Sequence, residues 1–175
     1  MIDLPILLEK MAGWHDGDEI VGSNTVSWSA YREAEKVNTL EFQAKLFHFI
    51  DNTTDSILRK HGYEVLTYLF KNTKDMDLGN KLLDRLKSED KNDEALYILL
   101  TGLGESTVNM DGDIENVIFY VDDTRALIRN AAIRLLANFT NQREVAIAAL
   151  EDVVENHYDE YDLRYAKESI KKLAD

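Results

Sequence analysis

A single proline, Pro5, in a chain of 175 residues leaves everything after it free of the residue that most reliably interrupts helices. Pro5 itself sits where a first helical turn tolerates it, just behind the potential cap Asp3. The apolar residues then repeat at i, i+3, i+4 and i+7 instead of alternating. Leu58, Val65, Leu66 and Leu69 form one stripe, and Leu78, Leu82, Leu83 and Leu86 a second. A third joins Leu127, Ile128, Ala131, Ala132, Leu135, Leu136 and Phe139, a fourth Ala146, Ala149, Leu150 and Val153, and a fifth Leu163, Ala166, Ile170 and Leu173. Short polar breaks such as Asn72-Thr73-Lys74-Asp75 and Asp122-Asp123-Thr124 supply cap and turn chemistry between them. The spacing predicts an all-α chain with helices near 3–13, 29–36, 40–51, 55–71, 76–87, 93–103, 113–121, 124–139, 143–157 and 161–173. The least regular stretches are 14–28, where Ile20-Val21 and Thr25-Val26 are β-prone, and 104–112.

Length suits one substantial domain. Asp and Glu number 33 against 20 Lys and Arg, a net charge of −13, which excludes the simplest binder of nucleic acid or anionic membrane. With no cysteine there is no disulfide framework, no thiolate nucleophile and no Cys-based zinc site. The N-terminus meets Asp3 before any basic start and its apolar run stops at Glu9, unlike a secretory signal, and no run reaches membrane-spanning length. A cytoplasmic location is expected.

An internal repeat underlies the stripes. Residues 57–66 align on 127–136, placing Arg59 on Arg129, and Leu163-Arg164-Tyr165-Ala166 aligns on Ile128-Arg129-Asn130-Ala131 at half that shift, 35 residues. The intermediate copy falls near 93–103, where Ala95, Ile98 and Leu99 fit but no arginine does. The stretch Asp122 to Leu136, with its acidic turn, apolar-Arg pair, small alanines and leucines, resembles the first helix of a HEAT repeat. Residues Asn141 to Tyr158 resemble the paired second helix, and Asp162-Leu163-Arg164-Tyr165-Ala166 opens another unit. The resemblance implies a short right-handed α-α superhelix over one domain, residues 1–175, with HEAT-like repeats over 55–175 and a divergent N-terminal cap over 1–54. Ala131, Ala132, Ala146, Ala149 and Gly62 are the small residues such stacking needs.

Catalytic constellations are sparse. His15, His48, His61 and His157 are scattered, and no His-Glu-x-x-His, Gly-x-Ser-x-Gly, Walker or dinucleotide motif occurs. His61, on an apolar face, reads as a core or groove residue. The loops Asn109–Glu115 and His15–Glu19 alternate oxygen ligands, but their glycines miss the calcium-loop register and no closing Glu follows. No metal, cofactor or catalytic residue is therefore expected. HEAT-like enzymes give no match: the alkylpurine DNA glycosylases need a basic groove and the deoxyhypusine hydroxylases need His-Glu pairs. A pigment-lyase role has no positive support.

The acids cluster in two places. Asp111, Asp113, Glu115, Asp122 and Asp123 form one group, and Glu151, Asp152, Glu155, Asp159, Glu160 and Asp162 the other. In the HEAT geometry the second helix lines the concave face, putting Glu151 and Glu155 on one wall. Tyr158, Tyr161 and Tyr165 beside the second group, and Trp14 and Trp28 near the N-terminus, are candidate interface anchors. Size, charge and repeat type make the chain similar to bacterial immunity proteins of contact-dependent and other polymorphic toxin systems. That resemblance implies a monomer or one-to-one complex with a basic toxin domain, and no direct contact with nucleic acid or membrane. A scaffold or adaptor with an endogenous protein partner is the alternative.

Overall fold

The computed structural model describes residues 3–17, 22–156 and 159–175, and all regular structure among them is helical. No helix in it is long and apolar enough to cross a membrane. The β-prone pair Ile20-Val21 lies outside the described residues, while Thr25-Val26 opens a helix. The chain divides into two compact units, Met1–Thr73 and Lys74–Asp175.

The first unit holds α1 (Leu4–Met11), α2 (Val26–Ala34), α3 (Glu41–Asn52) and α4 (Ser56–Thr73). Asp3 caps α1 with Pro5 in its first turn. Helix α2 starts three residues earlier than the spacing alone indicates, because the Thr25 hydroxyl accepts the Trp28 amide at 3.1 Å. Helix α4 runs through the middle of the unit, packing on α1 and α3. The α3–α4 approach is close enough that a methyl group built on Gly62 falls 2.8 Å from Ile50 Cγ1, so the helix-propensity cost of glycine secures contact. Asn72 closes the unit by donating to the carbonyls of Glu35 and Val37, both at 2.8 Å. The 55–175 stretch read as repeats thus begins with a helix that packs inside the N-terminal unit.

The second unit holds α5 (Met76–Arg85), α6 (Asp93–Glu105), α7 (Glu115–Ile118), α8 (Ala126–Leu135), α9 (Arg143–Asn156) and α10 (Glu160–Ala174). Helix α7 is a single turn where 113–121 was expected to be helical throughout, and α8 tightens into a 3-10 turn over Leu136–Asn138. Helix α8 packs against α6 on one side and α10 on the other, and α10 also packs on α9. The core joins Leu82 and Leu83 of α5, Leu96, Leu99 and Leu103 of α6, Ala132 and Leu135 of α8, Leu150 of α9 and Ala166 of α10. The buried Tyr120 hydroxyl donates to the Leu86 carbonyl at 3.0 Å, and burial pushes its pKa up to about 12. Leu127, placed by its spacing in the α8 stripe, falls instead in the first turn of the helix and is 66% exposed.

Polar side chains tie both ends of α6, α8 and α10 together. At the leading end, Arg125 donates to the Asp90 carbonyl at 2.6 Å and to the carboxylates of Asp93 at 2.7 Å and Asp123 at 2.6 Å. One turn on, buried Arg129 donates to Asp162 at 2.9 Å, to Asp159 at 3.1 Å and to the Asp123 carbonyl at 2.8 Å. Asp159 also receives the amides of Tyr161 and Asp162, forming a capping box on α10. At the trailing end, Asn138 donates to the carbonyls of Leu103 and Gly104 and accepts from Lys172 at 2.8 Å. Apart from the local bonds to Asp123 and those within the capping box, these links join residues 30 to 35 apart in sequence.

The Arg129–Asp162 pair is almost fully buried, and one Asp162 oxygen has no hydrogen-bond partner, so the carboxylate depends on the arginine for compensation. Arg129→Met is expected to lower the unfolding free energy by about 3–5 kcal/mol. Adding Asp162→Leu should restore a large part of that loss, as read from urea midpoints of the two variants.

Candidate protein-binding site

The acidic residues divide into those consumed by the fold and those left to solvent. Asp123 and Asp159 belong to the first class. The guanidinium of Arg125 holds the Asp123 carboxyl below the usual carboxylate range, and the Asp162 and Tyr161 amides, with Arg129, do the same for Asp159. Asp162 is buried outright. Asp113 is exposed and accepts the amide of Glu115, the first residue of α7, at 3.1 Å. Asp111, Glu115, Asp122 and Glu160 are exposed to solvent.

Helix α9 is where free acid concentrates. Glu144, Ala148, Glu151 and Glu155 share one helical face and all four are exposed. Glu151 and Glu155 stand over a shallow cleft of about 510 Å³, with Val154 and Ile170 beneath them and Lys167 of α10 opposite. Their like charges, four residues apart, disfavour the helix by about 0.2–0.5 kcal/mol. Glu155 also lies in the last turn, where the helix dipole favours cations and where α9 has no basic residue. This local arrangement is unfavourable for the helix and serves no contact within the described fold.

A second depression, about 290 Å³, crosses α6, α8 and α10 and is lined by Thr101, Gly104, Ala131, Arg134, Tyr165 and Lys172 among others. Its walls come from the helices read as first in each pair, and neither Glu151 nor Glu155 reaches it. One of the two nominated tyrosines that are described reaches it. Tyr165 lines it, with the Arg134 guanidinium 5.4 Å and the Arg164 guanidinium 4.7 Å from its ring centre. Tyr161, 52% exposed, lies 5.2 Å from the same Arg164 group. Arg164, aligned on Arg129 by sequence, therefore takes a different role: Arg129 is buried against α10, whereas Arg164 lies on the surface over aromatic rings. Tyr158 falls outside the described residues.

In the N-terminal unit, Trp14 lies in the turn after α1 and Trp28 in the first turn of α2, both half exposed, with Arg32 5.9 Å from the Trp28 ring. His61 is a core residue, 2% exposed. Its Nδ1 lies 2.8 Å from Glu64 and 3.3 Å from the Tyr31 hydroxyl, a half-buried trio that sequence spacing could not reveal because Tyr31 comes from α2. Burial, followed by the Glu64 charge, raises the Tyr31 pKa above its ordinary 10. Among the described residues no three His, Asp or Glu side chains converge as metal ligands would.

The depressed carboxyl values of Asp123 and Asp159 fix a pH dependence. Their folded forms bind a proton less tightly than an unfolded carboxyl at 3.8, so both favour folding above that value. The contribution disappears as pH falls through the lowered values. The urea midpoint, followed from about pH 6 to about pH 2, is expected to drop on the acid side, and Asp123→Asn should flatten that limb.

Comparison of the sequence with protein-family models and with curated proteins, and of the structure with solved structures, finds no match.

Proposed function

We propose that this chain is a non-catalytic protein-binding module built as a short HEAT-like α-α superhelix. In this reading it is an acidic inhibitor of the immunity type, which binds a basic toxin domain, such as a nuclease, and covers its active surface. The repeat architecture is supported by the polar links that recur between α6, α8 and α10 at 30 to 36 residues. The binding role rests on one observation above all: Glu151 and Glu155 on α9, without an ion-pair partner among the described residues and kept against both mutual repulsion and the helix dipole. Acid placed where it weakens its own helix is accounted for by what it attracts. With a net charge of −13 behind it, such a face accelerates encounter with a cationic partner and competes for the surface that partner uses on nucleic acid.

The test is kinetic. Partners are captured from native lysate of the source cell, and association of the purified partner is timed against the wild type and against the Glu151→Lys/Glu155→Lys variant as salt rises. One stoichiometric basic protein is expected, with association slowing as salt increases and falling about tenfold in the double variant at low salt. Association indifferent to both changes leaves the α9 acids as solubilising charge only. Several partners of mixed charge would point to a scaffold.

A further inference from the structure

The depression across α6, α8 and α10 is lined by charged groups that the packing of the second unit does not use. Glu105 is the last residue of α6, where the helix dipole disfavours an acid, and its exposed carboxylate has no hydrogen-bond or ion-pair partner among the described residues. Thr107, two residues on in the same wall, holds a left-handed φ of +54°, which a β-branched residue seldom adopts. The side chain of Arg134, from α8, meets the Tyr165 ring but no acceptor among the described residues, so its N–H donors are unused. From α10, Lys172 donates to Asn138 Oδ1 at 2.8 Å, and the buried Asn138 is itself fixed on the Leu103 and Gly104 carbonyls. The ammonium is thus held in place with donors to spare. The other acid of the lining, Glu168, lies 3.9 Å from Arg164 on its own helix.

An acid and a guanidinium that line one pocket without pairing are complementary to a ligand carrying both charges. A plain anion answers Arg134 and Lys172 but is repelled by Glu105, and a plain cation meets the reverse. A volume of about 290 Å³ suits a small molecule better than a protein segment. The hydroxyls of Thr101 and Ser169 are spent on the Tyr97 and Ile133 carbonyls, which leaves the charged groups to dominate recognition. Leu100, Ala131, Ala137 and the Tyr165 ring add hydrocarbon to the lining. We propose that this pocket binds a free α-amino acid with an apolar side chain. The ligand carboxylate meets Arg134 and Lys172, its ammonium meets Glu105, and its side chain lies on the hydrocarbon. The site is separate from the α9 acids and needs no protein partner, so it goes beyond the inhibitor reading.

The wild-type chain is titrated by calorimetry with each of the standard α-amino acids, then with the N-acetyl and carboxamide derivatives of the tightest binder. The same ligands are run on Arg134→Met and Glu105→Gln. Both positions are exposed, and both variants are expected to keep the helical circular dichroism of the wild type. An apolar amino acid should bind at one per chain with a dissociation constant below about 1 mM. Amidation of its carboxylate, or acetylation of its ammonium, should each cost about tenfold. Arg134→Met should cost about tenfold for the amino acid while sparing the carboxamide, and Glu105→Gln should do the same while sparing the N-acetyl derivative. The Glu151→Lys/Glu155→Lys variant should bind the amino acid as the wild type does. No saturable binding of any amino acid up to about 10 mM overturns the proposal. So does an N-acetyl derivative that binds as well as its parent, which marks a simple anion site. Affinity unmoved by either pocket variant puts the ligand elsewhere and overturns it as well.

Discussion

Two guanidinium groups at the start of one short helix organise the second unit. Arg125 and Arg129 between them hold the carboxylates of Asp90, Asp93, Asp123, Asp159 and Asp162. Four of these acids, Asp90, Asp93, Asp159 and Asp162, lie before or in the first turns of α6 and α10, so the arginines at the start of α8 fix where its two neighbours begin. The bond is directional as well as electrostatic: forked guanidinium groups accept only certain carboxylate placements, and Arg129 works where water does not compete. Burial of leucine and alanine faces drives the helices together, but hydrocarbon alone tolerates sliding. The ion ladder sets the register at one end, and Asn138 sets it at the other.

That ladder also changes how the charge of the chain is understood. Several acids that look like surface decoration are structural counter-ions, which leaves part of the remaining excess exposed on α9. Negative potential is therefore patterned, not smeared. On α9 the acids stand over a shallow cleft shared with Val154, Lys167 and Ile170. At α6 and α8, by contrast, Asp90, Asp93 and Asp123 are drawn onto Arg125.

The helices were legible because their signal is local. A 3.6-residue period, Asp3 before Pro5 and polar breaks such as Asn72–Asp75 each act within a turn or two, and every expected helix has a counterpart. What could not be read was direction. Leu127 fits the stripe by spacing, but a first-turn residue projects beyond the packed layer. Arg129 and Arg164 occupy matching positions, yet only Arg129 has a following helix against it in the described fold, so one is buried and the other lies on tyrosine rings. Asp123 and Asp159 could not be told from Glu151 and Glu155 by composition. The difference is whether an arginine thirty or so residues away in sequence, or on the next turn, reaches them. His61 illustrates the same limit, since its partner Tyr31 arrives from a separate helix.

The position of α8 has a further consequence for how the second unit comes apart. Arrays of stacked helical pairs ordinarily share only nearest-neighbour contacts, so they can fray repeat by repeat from an end. Here the polar bridges at both ends of α6 and of α10 pass through residues of α8 and the 3-10 turn that follows it: Arg125 and Arg129 in front, Asn138 behind. Neither outer helix can leave without breaking bonds at both of its ends, and loss of α8 removes the anchor of each at once. The three helices are thereby locked into one opening event, and amide protons in the middle of α6 and α10 share the exchange free energy of α8 instead of grading outward from it.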